Sequence, residues 1–181
     1  MTIDSISFAW RETVAPRSTL QQVELIGPQL RLAGWADVGP FPRLSDLITV
    51  ASDSIQIHDA VVLNRRGMET ADRVDRFHVR LRDITLIAQR LIYEVSQPPS
   101  PDLVVNKVRR EVMLLTPSLR ISGAISLYPG ADPVAFLQGT DPPFVPLLSP
   151  VVRWLADRRL KTVFAFALVN RGHLVAFSTA E

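Results

Sequence analysis

The 181-residue sequence contains no cysteine. Disulfides, thiol nucleophiles, thiolate zinc sites and cysteine-ligated iron–sulfur clusters are therefore excluded. Apolar runs are also short, and none approaches the roughly 18 residues that a transmembrane helix requires. We therefore expect neither a disulfide framework nor a membrane span.

Catalytic motifs are missing as well. The 8 glycines do not cluster, and the sequence has no G-x-S-x-G, no Gly-rich phosphate loop and no H-E-x-x-H. His58 and Asp59 are neighbours in a predicted strand, where successive side chains point to opposite faces, so a structural role is favoured. His78 has no ligand partner at i+2 or i+4, and His173 follows a turn. We expect no enzymatic activity, no cofactor and no metal site, with an enzyme of unrecognised class as the remote alternative.

Lysine is nearly absent, because 18 of the 20 basic residues are Arg, and the formal net charge is only +2. A charge this small does not indicate a dedicated nucleic-acid surface. Hydrophobic residues make up 47% and charged residues 21%, which is typical of a globular protein. The first residues include Asp4 and no basic segment before an apolar core. We therefore expect no signal peptide and a cytoplasmic location.

The sequence does contain an internal repeat. Residues 23–34 read VELIGPQLRLAG and residues 112–123 read VMLLTPSLRISG, so that a shift of 89 residues aligns Gly34 with Gly123. The same shift, without a gap, later aligns Phe77 with Phe166 and Arg82 with Arg171. This period is far longer than that of solenoid repeats, and it predicts two copies of one small domain. The alternative is two unrelated β segments that share a turn motif.

A proline-rich segment separates the two copies. Residues 96–102 read SQPPSPD, and their three prolines disfavour both helix and central strand. The predicted organisation is an N-terminal extension at 1–20, a first copy at 21–95, a linker at 96–106 and a second copy at 107–181.

Each copy has the same order of predicted elements. Apolar and polar residues alternate on both sides of Gly27-Pro28, which predicts a strand, a tight turn and a second strand. Gly34 and Gly123 fall inside the second strand, where glycine commonly marks a bulge or bend. Three further strands follow a short helix, predicted at 43–50 and 132–138. The predicted fold is mainly β, with two tandem, five-stranded, partly open barrels. The expected core positions pair Leu25, Leu30, Leu32, Phe77 and Leu86 with Leu114, Leu119, Ile121, Phe166 and Val175.

This order, together with the closing segment LVNRGHLVAF at residues 168–177, resembles the small Sm-like or SH3-like β-barrel. In Sm-like proteins a short Arg-Gly or Lys-Gly turn joins the last two strands, and alternating apolar residues follow it. Asp83 replaces that glycine in the first copy. Sm-like proteins also have an Asp and an Asn in the loop before the third strand, and neither copy has this Asn. The resemblance implies nucleic-acid contacts at Arg82 and Arg171. The favoured alternative is that both are exposed turn arginines.

Arginine is concentrated between residues 64 and 82, with Phe77 among the arginines. Because arginine contacts phosphates and stacks on bases, RNA or DNA binding is one alternative function. Acidic residues are interleaved with the arginines, and alternating Arg and apolar residues are also typical of the solvent face of a half-buried sheet. Nucleic-acid binding is therefore possible but not favoured.

The strand predicted at 163–169, VFAFALV, contains no polar residue. Such a strand must be covered on both faces, since it is prone to aggregate when exposed. We expect one face to pack against the other copy or another subunit, namely Val163, Ala165, Ala167 and Val169. This favours a non-enzymatic binding or scaffolding protein that acts through a protein partner or through itself, as a homo-oligomer.

Overall fold

The structure, a computed structural model, describes residues 19–51, 53–70, 73–91 and 106–180. The chain is mainly β, as the alternating apolar pattern predicts. The strands are β1 (Leu20–Ile26), β2 (Arg31–Asp37), β3 (Ser54–Leu63), β4 (Val74–Arg80), β5 (Leu86–Gln89), β6 (Val108–Leu115), β7 (Leu119–Leu127), β8 (Phe144–Trp154), β9 (Lys161–Val163), β10 (Phe166–Asn170) and β11 (Ala176–Thr179). The helices are α1 (Leu44–Val50) and α2 (Pro133–Gln138), and single 3-10 turns lie at Leu81–Asp83 and Arg171–His173.

The strands form one open antiparallel sheet of 11 strands. Ten of them follow the order β11-β6-β7-β8-β10-β5-β1-β2-β3-β4, and β9 pairs with β8 beside this path. The sheet therefore runs without interruption from the first half of the chain (residues 19–91) into the second half (residues 106–180). The junction between the halves is the pairing of β5 with β10.

Both glycines predicted to mark a bulge lie where the strand register shifts. The shift between β2 and β3 falls between Ala33 and Trp35, and the shift between β7 and β8 falls between Ser122 and Ala124. A Cβ on Gly34 would lie 2.5 Å from Cγ2 of Ile57, and one on Gly123 would lie 3.1 Å from the carbonyl oxygen of Leu148. Close approach of the neighbouring strand therefore disfavours any side chain at both positions, most strongly at Gly34.

Two different differences in residue number relate the paired strands of the first half to those of the second half. Leu32 pairs with Val62 and Ile121 with Val152, so the shift is 89 in the second strand but 90 in the third. The second half thus has one additional residue before β8. The expected equivalences of Phe77 with Phe166 and of Leu86 with Val175 are wrong by one residue, because the pairings match Phe77 to Ala167 and Leu86 to Ala176. One residue of slip in a strand exchanges its two faces.

Two large apolar clusters form most of the core, and each contains residues of both halves, whereas a third, small cluster consists of Ala33, Val61 and Leu63. The first-half cluster, built around Leu25, Ile48 and Ile87, also contains Phe144 and Leu168. The second-half cluster, built around residues such as Leu114 and Ile121, also contains Ile26, Leu86 and Ala88. Two predicted core residues are exposed: Leu30 by 39%, because it closes the turn that follows β1, and Val175 by 71%, because the one-residue offset places it before β11.

The strand predicted at 163–169 is broken in two. β9 ends at Val163 and β10 begins at Phe166. Between them the N–H of Phe164 donates to the carbonyl of Pro150, and the N–H of Ala165 donates to the carbonyl of Gln89. In the facing strand β8, this break lies opposite Ser149, whose φ is +48°, and Pro150, which has no N–H to continue a regular ladder. These two residues of β8 account for the interruption.

Some expectations fall outside the described residues. The predicted N-terminal extension is described only from residue 19, and the predicted linker only at residue 106. Among the described residues, no helix has the length and apolar character needed to cross a membrane.

Candidate assembly interface

The two halves are joined edge to edge by β5 and β10. Phe166 pairs with Gln89, Ala167 with Ala88, Leu168 with Ile87 and Val169 with Leu86. Leu86, Ile87 and Ala88 are completely buried, and Gln89 is 5% exposed. We call this strand pair and the side chains around it the internal joint. It combines backbone hydrogen bonds with apolar burial, and the latter contributes roughly 25 cal/mol for each Å² removed from water.

Asn170 fastens one end of the internal joint. Its backbone N–H donates to the carbonyl of Thr85 at 2.9 Å, and its side-chain amide donates to the carbonyls of Leu81 and Ile84 at 3.2 and 3.0 Å. Its side-chain oxygen accepts from the N–H of Gly172 at 2.9 Å. The side chain is buried and its donors and acceptor are used, so it costs little desolvation and fixes the relative position of the two 3-10 turns.

His173 adds a second polar link between these turns. Its Nε2 lies 2.9 Å from the carbonyl oxygen of Arg82, and its Nδ1 lies 2.8 Å from the hydroxyl of Thr85. A carbonyl can only accept, so Nε2 donates to Arg82, and Nδ1 is left to form the hydrogen bond with the Thr85 hydroxyl. Neither Asn170 nor His173 was expected from the sequence to join the two halves. The only sequence signal was the polar segment 170–173 between two apolar strands.

The buried carboxylate of Glu24 forms ion pairs with two arginines beside the joint. Oε1 of Glu24 lies 2.6 Å from Nη2 of Arg31, and Oε2 lies 3.2 Å from Nη2 of Arg90. Both guanidinium groups also contact aromatic rings of the second half, since Arg31 lies 5.1 Å from the ring centre of Trp154 and Arg90 lies 5.3 Å from that of Phe164. A buried ion pair adds little net stability but has demanding geometry, so this cluster specifies how the halves meet.

The four residues predicted as an interface lie in different surroundings. Val163 is 53% exposed and Ala165 is half-buried. Ala167 and Val169 are fully buried in the second-half cluster. The opposite face of β10 contacts the first-half cluster through Phe166 and Leu168.

The two arginines predicted to contact nucleic acid also differ. Arg82 is exposed, with Nε 3.9 Å from Oδ1 of Asp83. Arg171 is half-buried and lies 4.8 Å from the ring centre of Phe136. Burial lowers the pKa of Arg171 from its ordinary value, and Asp141 acts in the opposite direction. The two 3-10 turns are related by a shift of 90 residues, not 89. The counterpart of Arg171 is therefore Leu81 and not Arg82, so the expected equivalence of the two arginines is wrong.

Two of the three guanidinium nitrogens of Arg171 are hydrogen-bonded within the fold, and the third, Nη2, is buried with no hydrogen-bond partner among the described residues. Its Nε donates to the carbonyl of Pro142 at 2.6 Å, and its Nη1 donates to the carbonyls of Phe136 and Leu137 at 2.7 and 3.1 Å. These contacts satisfy carbonyls at the end of α2, which have no partner within the helix. Arg171 therefore ties α2 to the end of β10.

A cavity of about 720 Å³ lies beside β11, between this strand and the end of α2. Its apolar lining includes Leu137, Pro143, Leu174, Val175 and Phe177. The described part of the chain holds no group of three or more His, Asp or Glu side chains placed to bind a metal ion. In the described part of the chain, this cavity and the free sheet edges are candidate functional surfaces.

Comparison of the chain with protein-family models, with curated proteins and with solved structures found no match in any of the three.

Proposed function

We propose that this is a non-enzymatic binding or scaffolding protein that acts through self-association surfaces of a duplicated small β-barrel domain. The observation that carries the proposal is the internal joint, in which a strand of each half completes the sheet and the core of the other. A domain that associates with its own copy through a strand edge has the properties of an assembly module.

The duplication is supported by the matching elements of the two halves. Each half contains, in order, two strands, a short helix, two further paired strands, a 3-10 turn and a final strand, and the second half has the additional short strand β9. The register shifts at Gly34 and Gly123 occupy corresponding places, as do the hydrogen bonds that close the two 3-10 turns. On this basis residues 21–95 and 107–181 are two copies of one domain.

The Sm-like relationship is supported by the turn before the last strand. Arg171 and Gly172 lie in the 3-10 turn that connects β10 with β11, where Sm-like proteins have their Arg-Gly turn. The corresponding turn of the first half is Leu81-Arg82-Asp83, which lacks the glycine. The Arg-Gly pair therefore supports the relationship in the second half alone.

The test of self-association is the solution mass of the purified protein. Light scattering over a range of protein concentrations, at low and high salt, should give a multiple of the 20.2 kDa chain. The ultraviolet absorbance ratio of the same sample shows whether nucleic acid accompanies the protein. A mass of 20.2 kDa at every concentration would contradict self-association.

A second candidate function, nucleic-acid binding, is favoured by the edge strand β4. Arg76, His78 and Arg80 are all exposed and lie at alternate positions, so they form a basic row along one face of this strand. Arg171 does not support this function, because its guanidinium already binds three backbone carbonyls. The candidate site is thus β4 and not the pair of arginines expected from the resemblance.

Binding of single-stranded RNA at several salt concentrations tests this second candidate. Replacing Arg76 and Arg80 together with glutamine should weaken binding and lower its salt slope by about 0.7 for each phosphate that the protein no longer neutralises. The matched control replaces Arg158 and Arg159, which are exposed in the turn after β8. An equal effect of both pairs would indicate nonspecific attraction, and no binding by the unmodified protein would remove the candidate.

A further inference from the structure

The two strands that end the sheet are counterparts of the two strands in the internal joint. Leu86 of β5 pairs with Ile26, and Ala176 of β11 pairs with Leu115 in the same way, so β11 is the second-half counterpart of β5. Likewise Ile57 pairs with Phe77 and Leu147 with Ala167, so β4 is the first-half counterpart of β10. Among the described strands, β4 pairs only with β3 and β11 only with β6.

β11 is exposed in the way that β5 would be if its neighbour β10 were removed. All of β5 is buried, whereas β11 alternates between exposed and half-buried residues. Val175, the residue before β11, is 71% exposed although its counterpart Thr85 is 1% exposed. The large cavity between α2 and β11 occupies the place where, in the first half, the residues of β8 and β10 cover α1.

The first half shows what fills that place. Ile48 and Thr49 of α1 face Phe144 and Leu168 of the second half, and only about 50 Å³ remains open between them. The wide cavity beside β11 and this nearly closed gap beside α1 thus lie at corresponding places in the two halves. Strands of the other half cover the place beside α1, whereas no strand covers the place beside α2 in the described chain.

We propose that β4 of one molecule pairs antiparallel with β11 of a second molecule and repeats the internal joint between chains. The register follows from the joint, with Arg76 opposite Thr179, Phe77 opposite Ser178, His78 opposite Phe177 and Val79 opposite Ala176. This rests on the proposed self-association and names its surface. Because β4 and β11 differ, the contact is heterologous, and repetition gives a closed ring or a filament.

The side chains of β4 fit this position with one change of chemistry. Arg80 takes the place of Asn170, and its guanidinium offers donors to the carbonyls of Arg171 and Leu174, as Asn170 does to those of Leu81 and Ile84. Arg76 and His78 take the places of Phe166 and Leu168, and the stem of Arg76 together with the ring of His78 would cover Phe177. Charged residues also weaken unwanted pairing at a strand edge. The contact between chains is therefore weaker than the internal joint and depends on concentration.

The absence of cysteine allows a direct test by disulfide trapping. Two single variants, Arg76→Cys and Thr179→Cys, are purified separately, one with a larger tag, then mixed and oxidised mildly. The proposal expects the covalent heterodimer, with much less of either homodimer. A second pair in the same register, His78→Cys with Phe177→Cys, should behave in the same way.

The matched control mixes Arg76→Cys with Ser178→Cys, because a slip of one residue puts the two thiols on opposite faces of the sheet. This pair should give at least tenfold less heterodimer. Homodimers of each single variant would show an isologous contact and would overturn the proposed pairing while leaving self-association intact. Multimers of the unmodified protein without cross-linking of either pair would overturn the register. A strictly monomeric protein would overturn the proposed function as well.

Discussion

The side-chain amide of Asn170 in the second half lies 3.0 Å from the carbonyl oxygen of Ile84 in the first half. This hydrogen bond crosses from the end of β10 to the residue that follows a 3-10 turn of the other half. The same amide reaches Leu81, so a single buried side chain holds both ends of that turn. The internal joint is therefore held by side-chain hydrogen bonds of Asn170 in addition to its paired strands. Replacing this one residue measures how much these bonds contribute to the free energy of unfolding.

Replacing Asn170 with alanine should lower the free energy of unfolding by about 2 kcal/mol, because the buried Ile84 carbonyl loses its amide donor and the Gly172 N–H loses its acceptor. Urea denaturation measures the change. The matched control is Asn64→Ala, since Asn64 caps an exposed turn by accepting from Arg66 and Met68. Equal effects of the two substitutions would show that Asn170 contributes no more than an ordinary turn residue.

Arg171 and Arg82 should respond very differently to alanine. Arg171→Ala removes three hydrogen bonds to backbone carbonyls and a contact with the Phe136 ring, which should cost about 2–3 kcal/mol. Arg82 is exposed, so Arg82→Ala should change stability by no more than about 0.5 kcal/mol. Arg171→Lys should recover only part of the loss, because an ammonium cannot reproduce the planar fork of donors. Thermal or urea unfolding of the three variants tests this order.

The buried ion pair should be far more sensitive than the exposed one. Glu24→Gln leaves Arg31 charged and buried without its counter-charge, which should cost about 3–5 kcal/mol. Glu69→Gln removes the exposed 3.8 Å pair with Arg73 and should cost less than about 1 kcal/mol. Urea unfolding of both variants gives the comparison. Similar losses would mean that the Glu24 cluster is not a structural centre of the joint.

The sequence predicted the local features of the fold well. The alternating pattern identified most of the strands, the helix predicted at 132–138 corresponds to α2, and Gly34 and Gly123 marked the bulges. Each of these signals depends on a few neighbouring residues. The Asp132 side chain, for example, accepts from the N–H of Val134 only two residues away.

The arrangement of the halves could not be predicted in the same way. An ungapped shift of 89 residues missed the additional residue before β8, and in a strand this exchanges the inward and outward faces. The roles of Asn170 and His173 depend on residues 81–85, which are far away in sequence. Such contacts arise from strand pairing between the halves, and no local pattern encodes them.

The two bulge glycines should tolerate alanine to different degrees. A Cβ at position 34 would lie 2.7 Å from the carbonyl oxygen of His58, whereas at position 123 its nearest neighbour is 3.1 Å away. Gly34→Ala should therefore destabilise the protein by about 1–3 kcal/mol, and Gly123→Ala by less. Gly139→Ala serves as a control, since its nearest neighbour is at 3.4 Å. The reverse order in urea unfolding would contradict this account of the bulges.

Two positions of the apolar segment 163–169 should separate burial from hydrophobicity. Ala167 is completely buried where β10 meets β5, so Ala167→Arg forces a charge into the second-half cluster. We expect this variant to lose more than about 4 kcal/mol or to fail to fold. Val163 is 53% exposed on β9, and Val163→Arg should change stability by about 0.5 kcal/mol or less.

Ala167→Ser, which adds one polar atom without a charge, should fold with an intermediate loss of stability. It therefore provides a measurable variant if Ala167→Arg does not fold. Circular dichroism with urea unfolding tests the three, and a large loss in Val163→Arg would show that this face of β9 is covered, as it would be in an assembly contact outside the β4–β11 pairing.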